Sequence, residues 1–378
     1  MTEIWVPYGP VEVSFDIKQE NLSQIVETQV EKMSKEKIDE QTHGLVFDSL
    51  LVLSSTSGTG TILDALLSKN KPNRIFYTKH SASLARRKAQ EFQVPVVTEL
   101  NTLDLYEGDV IDGSVSKVIS DIRSCSNLLC ISSVHYDPLF GLTGAASDIA
   151  SLNKETKAEA FKRSFEELPC NLKSNANWYS TRLLQTCPNI SVLEIIEKQN
   201  TGVIQFFEGE PESTHARVVD FWSTKLSTKA PRSERIIFGA GGGENDRTLT
   251  SSLARSFFNV ATNLALKDSN SKICMLAECS EGLGSEALLQ YVTGRITPGA
   301  KLDYGNYIEG LEVLLSFYKV QQDYELSMVS ALPKFYGERF EFKMYSGARE
   351  APYAVISPGS RAKILVAQDA SSALFTLD

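Results

Sequence analysis

Twice along this chain an apolar, β-branched run ends in a loop of glycine and serine and passes at once into a helix-patterned segment. The first series opens with Val46–Leu53, turns through Ser54-Ser55-Thr56-Ser57-Gly58-Thr59-Gly60, and enters Ile62–Leu67. Arg74–Tyr77 then leads through His80 to a helix-like Leu84–Glu91, and Asn127–Ser132 runs into Val134-His135-Tyr136-Asp137-Pro138. The second series begins with Arg235–Phe238, the loop Gly239–Gly243 and a helical period over Leu249–Leu266. Ile273–Ala277, a loop over Glu278–Gly284 and a helix from Ser285 follow. Such alternation predicts parallel sheets joined by right-handed crossover helices. A chain of 378 residues is too long for one core. The expected fold class is therefore α/β, with two Rossmann-like domains of mostly parallel sheet and a cleft between them. The rhythm restarts near 226–234, which divides the chain into an N-terminal unit, 1–228, and a C-terminal unit, 229–378.

Composition narrows the partners. Hydrophobic residues at 42% and charged residues at 22% are ordinary globular values. A formal charge of −9 argues against nucleic acid or an anionic membrane, because phosphate binding needs surplus cation. The densest basic run, Lys79-His80 with Arg86, Arg87 and Lys88, reads as a solvated helix face. The six cysteines form no CxxC pair, and Cys130 and Cys274 sit inside strand-like runs where a thiol packs as a small hydrophobe. The opening residues lack a basic and then apolar leader, and no window approaches a membrane span, so the expected setting is cytoplasmic. Trp5, Trp178 and Trp222 read as packing residues. Oligomeric state is not encoded in any visible pattern.

In open parallel sheets, ligands bind beyond the carboxyl ends of the strands, where loops meet helix N-termini. The loop holding Ser54, Thr56, Ser57 and Gly58 is placed to cradle an anion on backbone N–H groups. It lacks the Gly-Lys-Ser/Thr ending of a Walker loop. The loop Gly239–Gly243, continuing to Glu244-Asn245-Asp246, departs from the dinucleotide fingerprint because Glu244 stands where the last glycine belongs. Of four histidines, His80 and His135 follow apolar strands and so reach the ligand face, where imidazole suits proton transfer near neutral pH. His43 lies among polar residues, and His215 reads as a surface helix start. Asp246 is either a cleft residue or a cap for the next helix.

These segments, in order, resemble nickel-pincer nucleotide-dependent lactate racemases. Val6-Pro7-Tyr8-Gly9 is similar to that family's opening, and Val134-His135 through Gly144 looks like its histidine loop. Phe207-Glu208-Gly209-Glu210-Pro211 with His215 is similar to its Gly-Asp-Pro element. Gly241-Gly242 with Asp246, and Ala277-Glu278-Cys279-Ser280-Glu281-Gly282-Leu283-Gly284, look like its two C-terminal signatures. The resemblance covers nearly the whole chain. It implies two histidines, here His80 and His135, acting as acid and base on a small 2-hydroxy acid while a lysine-tethered nickel nucleotide handles the hydride. It also places Arg255 and Asp246 against substrate.

The chain departs from the family where the cofactor is held. The tethering lysine is replaced in Gly144-Ala145-Ala146-Ser147, with Ser147 in or beside its place. The histidine that ligates nickel has no counterpart, since residues 150–180 contain none. An Asp-x-Thr-Arg clamp has become Ser54-Ser55-Thr56-Ser57, without carboxylate or guanidinium. Two principal readings follow. One is a lactate racemase-like isomerase, a racemase or epimerase of a small 2-hydroxy acid or related carboxylate, with no metal ligands assigned and its cofactor unknown. The other is a non-catalytic ligand-binding or regulatory descendant that no longer binds the nickel nucleotide. A third is a different, nucleotide-dependent enzyme using the serine-rich loop. The expected partner in each case is a small-molecule anion.

Overall fold

The structure, a computed structural model, describes residues 1–100, 125–185, 187, 189–199, 201–267, 271–297 and 307–376. Two six-stranded sheets organise the chain. In the first, the order across the sheet is Gly202–Gly209, Ile190–Lys198, Leu128–Ser133, Ser49–Val52, Arg74–Tyr77, Val96–Glu99. All neighbours are parallel except the hairpin of the first two. In the second, the order is Lys343–Tyr345, Glu325–Val329, Lys272–Leu276, Arg235–Gly239, Ile364–Ala367, Leu22–Val26, parallel throughout. The protein is thus an α/β molecule of mostly parallel sheet.

The central strands are buried along their length, Ser49–Val52 and Leu128–Ser133 among them. Helices cover both faces of a parallel sheet, so its strands read as unbroken apolar runs rather than alternating ones. That is why those segments stand out in the sequence. The second sheet recruits an element from far upstream: Leu22–Val26 pairs with Ile364–Ala367. The hairpin of Thr2–Tyr8 and Val11–Ile17 also packs there, with Ile4, Val6, Phe15 and Ile17 in one core with Ile237 and Val366. Residues before 27 therefore belong structurally with the second sheet, although they lie in the unit 1–228 by chain position.

Each sheet reverses its winding once. In the first the reversal falls between Ser49–Val52 and Leu128–Ser133, and in the second between Arg235–Gly239 and Ile364–Ala367. At such a switch point adjacent loops diverge to opposite faces and leave a crevice. The residues after those four strands are Leu53–Ser57, Val134–Asp137, Ala240–Asn245 and Gln368–Ser371.

All six cysteines are buried and stand outside any disulfide among the described residues. Trp222 is buried, but Trp5 and Trp178 are exposed, 49% and 56%. They do not pack inward; the Arg182 guanidinium lies over the Trp178 ring, 5.5 Å from its centroid. The basic run near Lys79 is only partly solvated. Lys88 is buried against Asp64 at 2.5 Å and Glu91 at 3.0 Å, while Arg86 bonds Tyr77 and Glu99. Among the described residues, no helix is long and apolar enough to cross a membrane.

Candidate functional site

One cleft of about 1230 Å³ receives the carboxyl-end loops of both sheets. From the first sheet come Ser54–Ser57, Thr78–His80, Ser133–His135 and Glu197. From the second come Gly243–Asn245, Glu278 and Ser371, with Arg255 from the helix beyond. His80, His135, Ser54, Thr56, Ser57 and Arg255 therefore share one surface. Gly58, Ser147 and Asp246 do not line it.

His135 is held by its own loop. Its N–H donates to Thr143 Oγ1 at 3.0 Å, and the same hydroxyl lies 3.1 Å from Nδ1. The ring is thus engaged at Nδ1 by Thr143 and also meets the Ser133 backbone. Burial, and then the charge of Arg255, hold the imidazole well below its ordinary pKa, so it is neutral at pH 7 and able to accept a proton. His80 sits at the exposed start of the helix Ala82–Glu91.

Arg255 lies in a π-helical turn, Leu253–Phe257, within the helical run Leu249–Asn263. The wider turn displaces side chains from the 3.6-residue register and carries Arg255 to the cleft, an arrangement common at functional sites. One guanidinium nitrogen donates to Asn245 Oδ1 at 2.9 Å. Burial lowers its pKa, while Glu244, Asp148 and Glu197 raise it in turn. The group stays cationic, as guanidinium does in proteins.

Three residues behave differently from the sequence reading. Ser147 is buried, and its hydroxyl accepts the N–H of Gly144 at 2.8 Å and donates to the Gly144 carbonyl at 2.9 Å. It closes the first turn of the helix Ala145–Ser151 rather than facing a ligand. Asp246 is fully buried and does not cap the helix that follows, which Thr248 caps. Its Oδ2 accepts the N–H of Gly9 at 2.8 Å and of Glu278 at 3.2 Å, tying the N-terminal hairpin to the Ala277–Gly284 loop. Both tied residues line the cleft, so Asp246 shapes it from behind. Gly58 gives its N–H to Glu197 Oε2 at 2.8 Å.

His215, read from sequence as a surface residue, is mostly buried at the start of the helix Pro211–Lys225. Asn177 Nδ2 donates to the Leu142 carbonyl at 2.6 Å and lies 3.0 Å from His215 Nε2. The amide orientation makes Nε2 the acceptor, so Nδ1 carries the proton toward Glu194 Oε2 at 3.2 Å. Glu194 in turn accepts the N–H of Ala145 at 3.1 Å. This chain braces the turn between His135 and Ser147.

The sequence reading missed Asp148, Glu197 and Lys157, which all line the cleft. Asp148 takes a hydrogen bond from the Ser132 hydroxyl, and burial pushes its carboxyl up to about 7. A carboxylate inside the apolar run Ala145–Ala150 was its available signal. Lys157 bonds Glu309 at 2.6 Å and Glu312 at 3.1 Å across the cleft wall. Nothing local marks that partnership.

No protein-family model matches this sequence, and no curated protein does. Among solved structures, the chain is similar to the lactate racemase apoprotein of Thermoanaerobacterium thermosaccharolyticum, with TM-score 0.75 over 99% of this chain and 100% of that one. The fold is that of lactate racemase. Identity over the aligned length is 15%, so the likeness concerns fold and not chemistry.

The residues present do not fit the nickel nucleotide that the sequence resemblance implied. Ser147 is spent on its own helix end, and Gly58 is spent on Glu197. No histidine lies within residues 150–180, where the resemblance places the nickel ligand.

Proposed function

We propose that the chain is a racemase- or epimerase-type isomerase of a small 2-hydroxy acid or a related carboxylate, working in the cytoplasm on a small anion. The observation that carries this reading is the convergence of His80, His135 and Arg255 on one cleft. Arg255 supplies a half-buried cation to which a substrate carboxylate can bond through two N–H groups. Neutral His135 supplies a base, and His80 supplies a second imidazole for the return of the proton. The step that balances with these residues alone is at Cα: His135 takes the Cα proton, the electron pair passes into an enediolate held at Arg255, and His80 gives a proton to the opposite face.

A second reading, a ligand-binding protein without turnover, draws support from Glu197 and Ser147, which occupy the donor groups a phosphorylated cofactor would use. Chiral chromatography separates the two. Each enantiomer of a panel of small 2-hydroxy acids, lactate first, is incubated with the wild type and with His135→Ala. Interconversion by wild type and its loss in a folded His135→Ala supports the isomerase. Saturable carboxylate binding with no interconversion supports the second reading and overturns the first.

A further inference from the structure

The N-terminus of the helix Ser57–Leu67 has the form of an anion seat, and the sequence assigns it to a ligand. A helix start leaves backbone N–H groups that need acceptors, and those of Gly58, Thr59 and Gly60 have them within the protein. The Thr59 N–H donates to Thr56 Oγ1 at 3.2 Å. The Gly60 N–H donates within the helix to the Thr56 carbonyl at 3.1 Å. The Gly58 N–H donates to Glu197 Oε2. The hydroxyls of Ser54 and Thr56 are committed as well: Ser54 accepts the Ser133 N–H at 3.0 Å and bonds Thr59 at 2.7 Å, and Thr56 bonds Thr59 at 2.9 Å.

Glu197 reaches this position through one irregularity in its strand and the lack of a side chain at Gly58. The pairing of Ile190–Lys198 with Gly202–Gly209 shifts register between Ile196 and Glu197. Such a bulge re-aims a side chain and is frequent beside binding sites. A Cβ at position 58 would lie 2.6 Å from Glu197 Oε2, so only glycine admits the carboxylate this close. The other oxygen, Oε1, accepts the Ser133 hydroxyl at 2.6 Å, two residues from His135.

We infer that Glu197 is a built-in occupant of the anion seat, a specificity residue that bars phosphate from this end of the cleft and leaves Arg255 as the anchor for an unphosphorylated carboxylate. The cleft lining agrees. Its carboxylates, including Asp148, Glu197, Glu244 and Glu278, outnumber its lysines and arginines among the described residues. A second anion placed at the seat would face the Glu197 charge in a partly buried setting, where repulsion is weakly screened. The substrate class deepens the isomerase reading and rests on it, whereas the occupancy of the seat does not.

The test is calorimetric titration of inorganic phosphate into wild type, Glu197→Gln and Glu197→Ala, with circular dichroism on each. The charge-neutral, equal-sized glutamine keeps the hydrogen-bonding skeleton and guards against a folding failure. Expected is phosphate binding about tenfold or more tighter in folded Glu197→Ala than in wild type. Glu197→Gln should fall between them. Phosphate binding by wild type equal to that of Glu197→Ala, or no gain in either variant, overturns the inference. Because the readout is phosphate affinity, it stands or falls separately from turnover of any hydroxy acid.

Discussion

Thr143 and His135 are joined by three contacts through one hydroxyl. Thr143 Oγ1 accepts the His135 N–H at 3.0 Å, donates to the His135 carbonyl at 3.0 Å, and lies 3.1 Å from Nδ1. Both residues flank the short hairpin of Tyr136–Asp137 with Gly141–Leu142. Backbone position and ring orientation are therefore fixed by the same atom.

Thr143→Val keeps the shape and removes that atom. Leaving a buried donor without a partner costs about 1–3 kcal/mol, and denaturant titration should show a loss in that range. Turnover should fall further than Val-for-Thr bulk would explain, because the ring loses its orientation. A variant as stable as the wild type would mean that the hydroxyl holds nothing.

Two half-buried groups bend stability with pH in opposite directions. His135 has a depressed folded pKa, so the unfolded chain binds its proton more readily, and stability falls as pH drops below the unfolded histidine value of about 6.5. Asp148 is raised from 3.8 to about 7, so its contribution is full below 3.8 and is lost as pH rises toward 7. Asp148→Asn should therefore gain stability relative to wild type between pH 5 and pH 8, and His135→Gln should lose the acid-side decline. Thermal melts across that range read both slopes. Parallel curves for Asp148→Asn and wild type would show that the Asp148 carboxyl is not raised in the folded protein.

Lys157 and Glu312 are both nearly buried, with side chains 10% and 3% exposed, and Tyr307 donates to Glu312 at 2.7 Å. Removing one partner of a buried pair strands the other charge. Lys157→Met should cost about 3–5 kcal/mol, and adding Glu312→Leu should recover most of it. Chemical denaturation of the single and double variants checks this; equal loss in both would show that the pair is not coupled.

Asp246→Ala should loosen the first hairpin rather than the core. It frees the N–H groups of Gly9 and Glu278 together. Hydrogen exchange at both amides should quicken while exchange in Arg235–Gly239 stays slow. Unchanged protection at Gly9 would show that the carboxylate is not its acceptor.

The sequence by itself determined the strand–loop–helix order, the α/β class, and the fact that His80, His135 and the serine-rich loop lie at strand ends. Those follow from residues adjacent along the chain, where apolar runs and glycine act over a few positions. Only the tertiary structure decided what each loop group bonds. Gly58 and Glu197 are 139 residues apart, and Lys157 and Glu312 are joined across the cleft. A register shift at Ile196/Glu197 and a π-helical turn at Arg255 then set which side chains enter. Sheet order and such local irregularities carry no periodic mark, because they arise from packing between elements, and packing is where a carboxylate from one strand takes the seat that the sequence offers to a ligand.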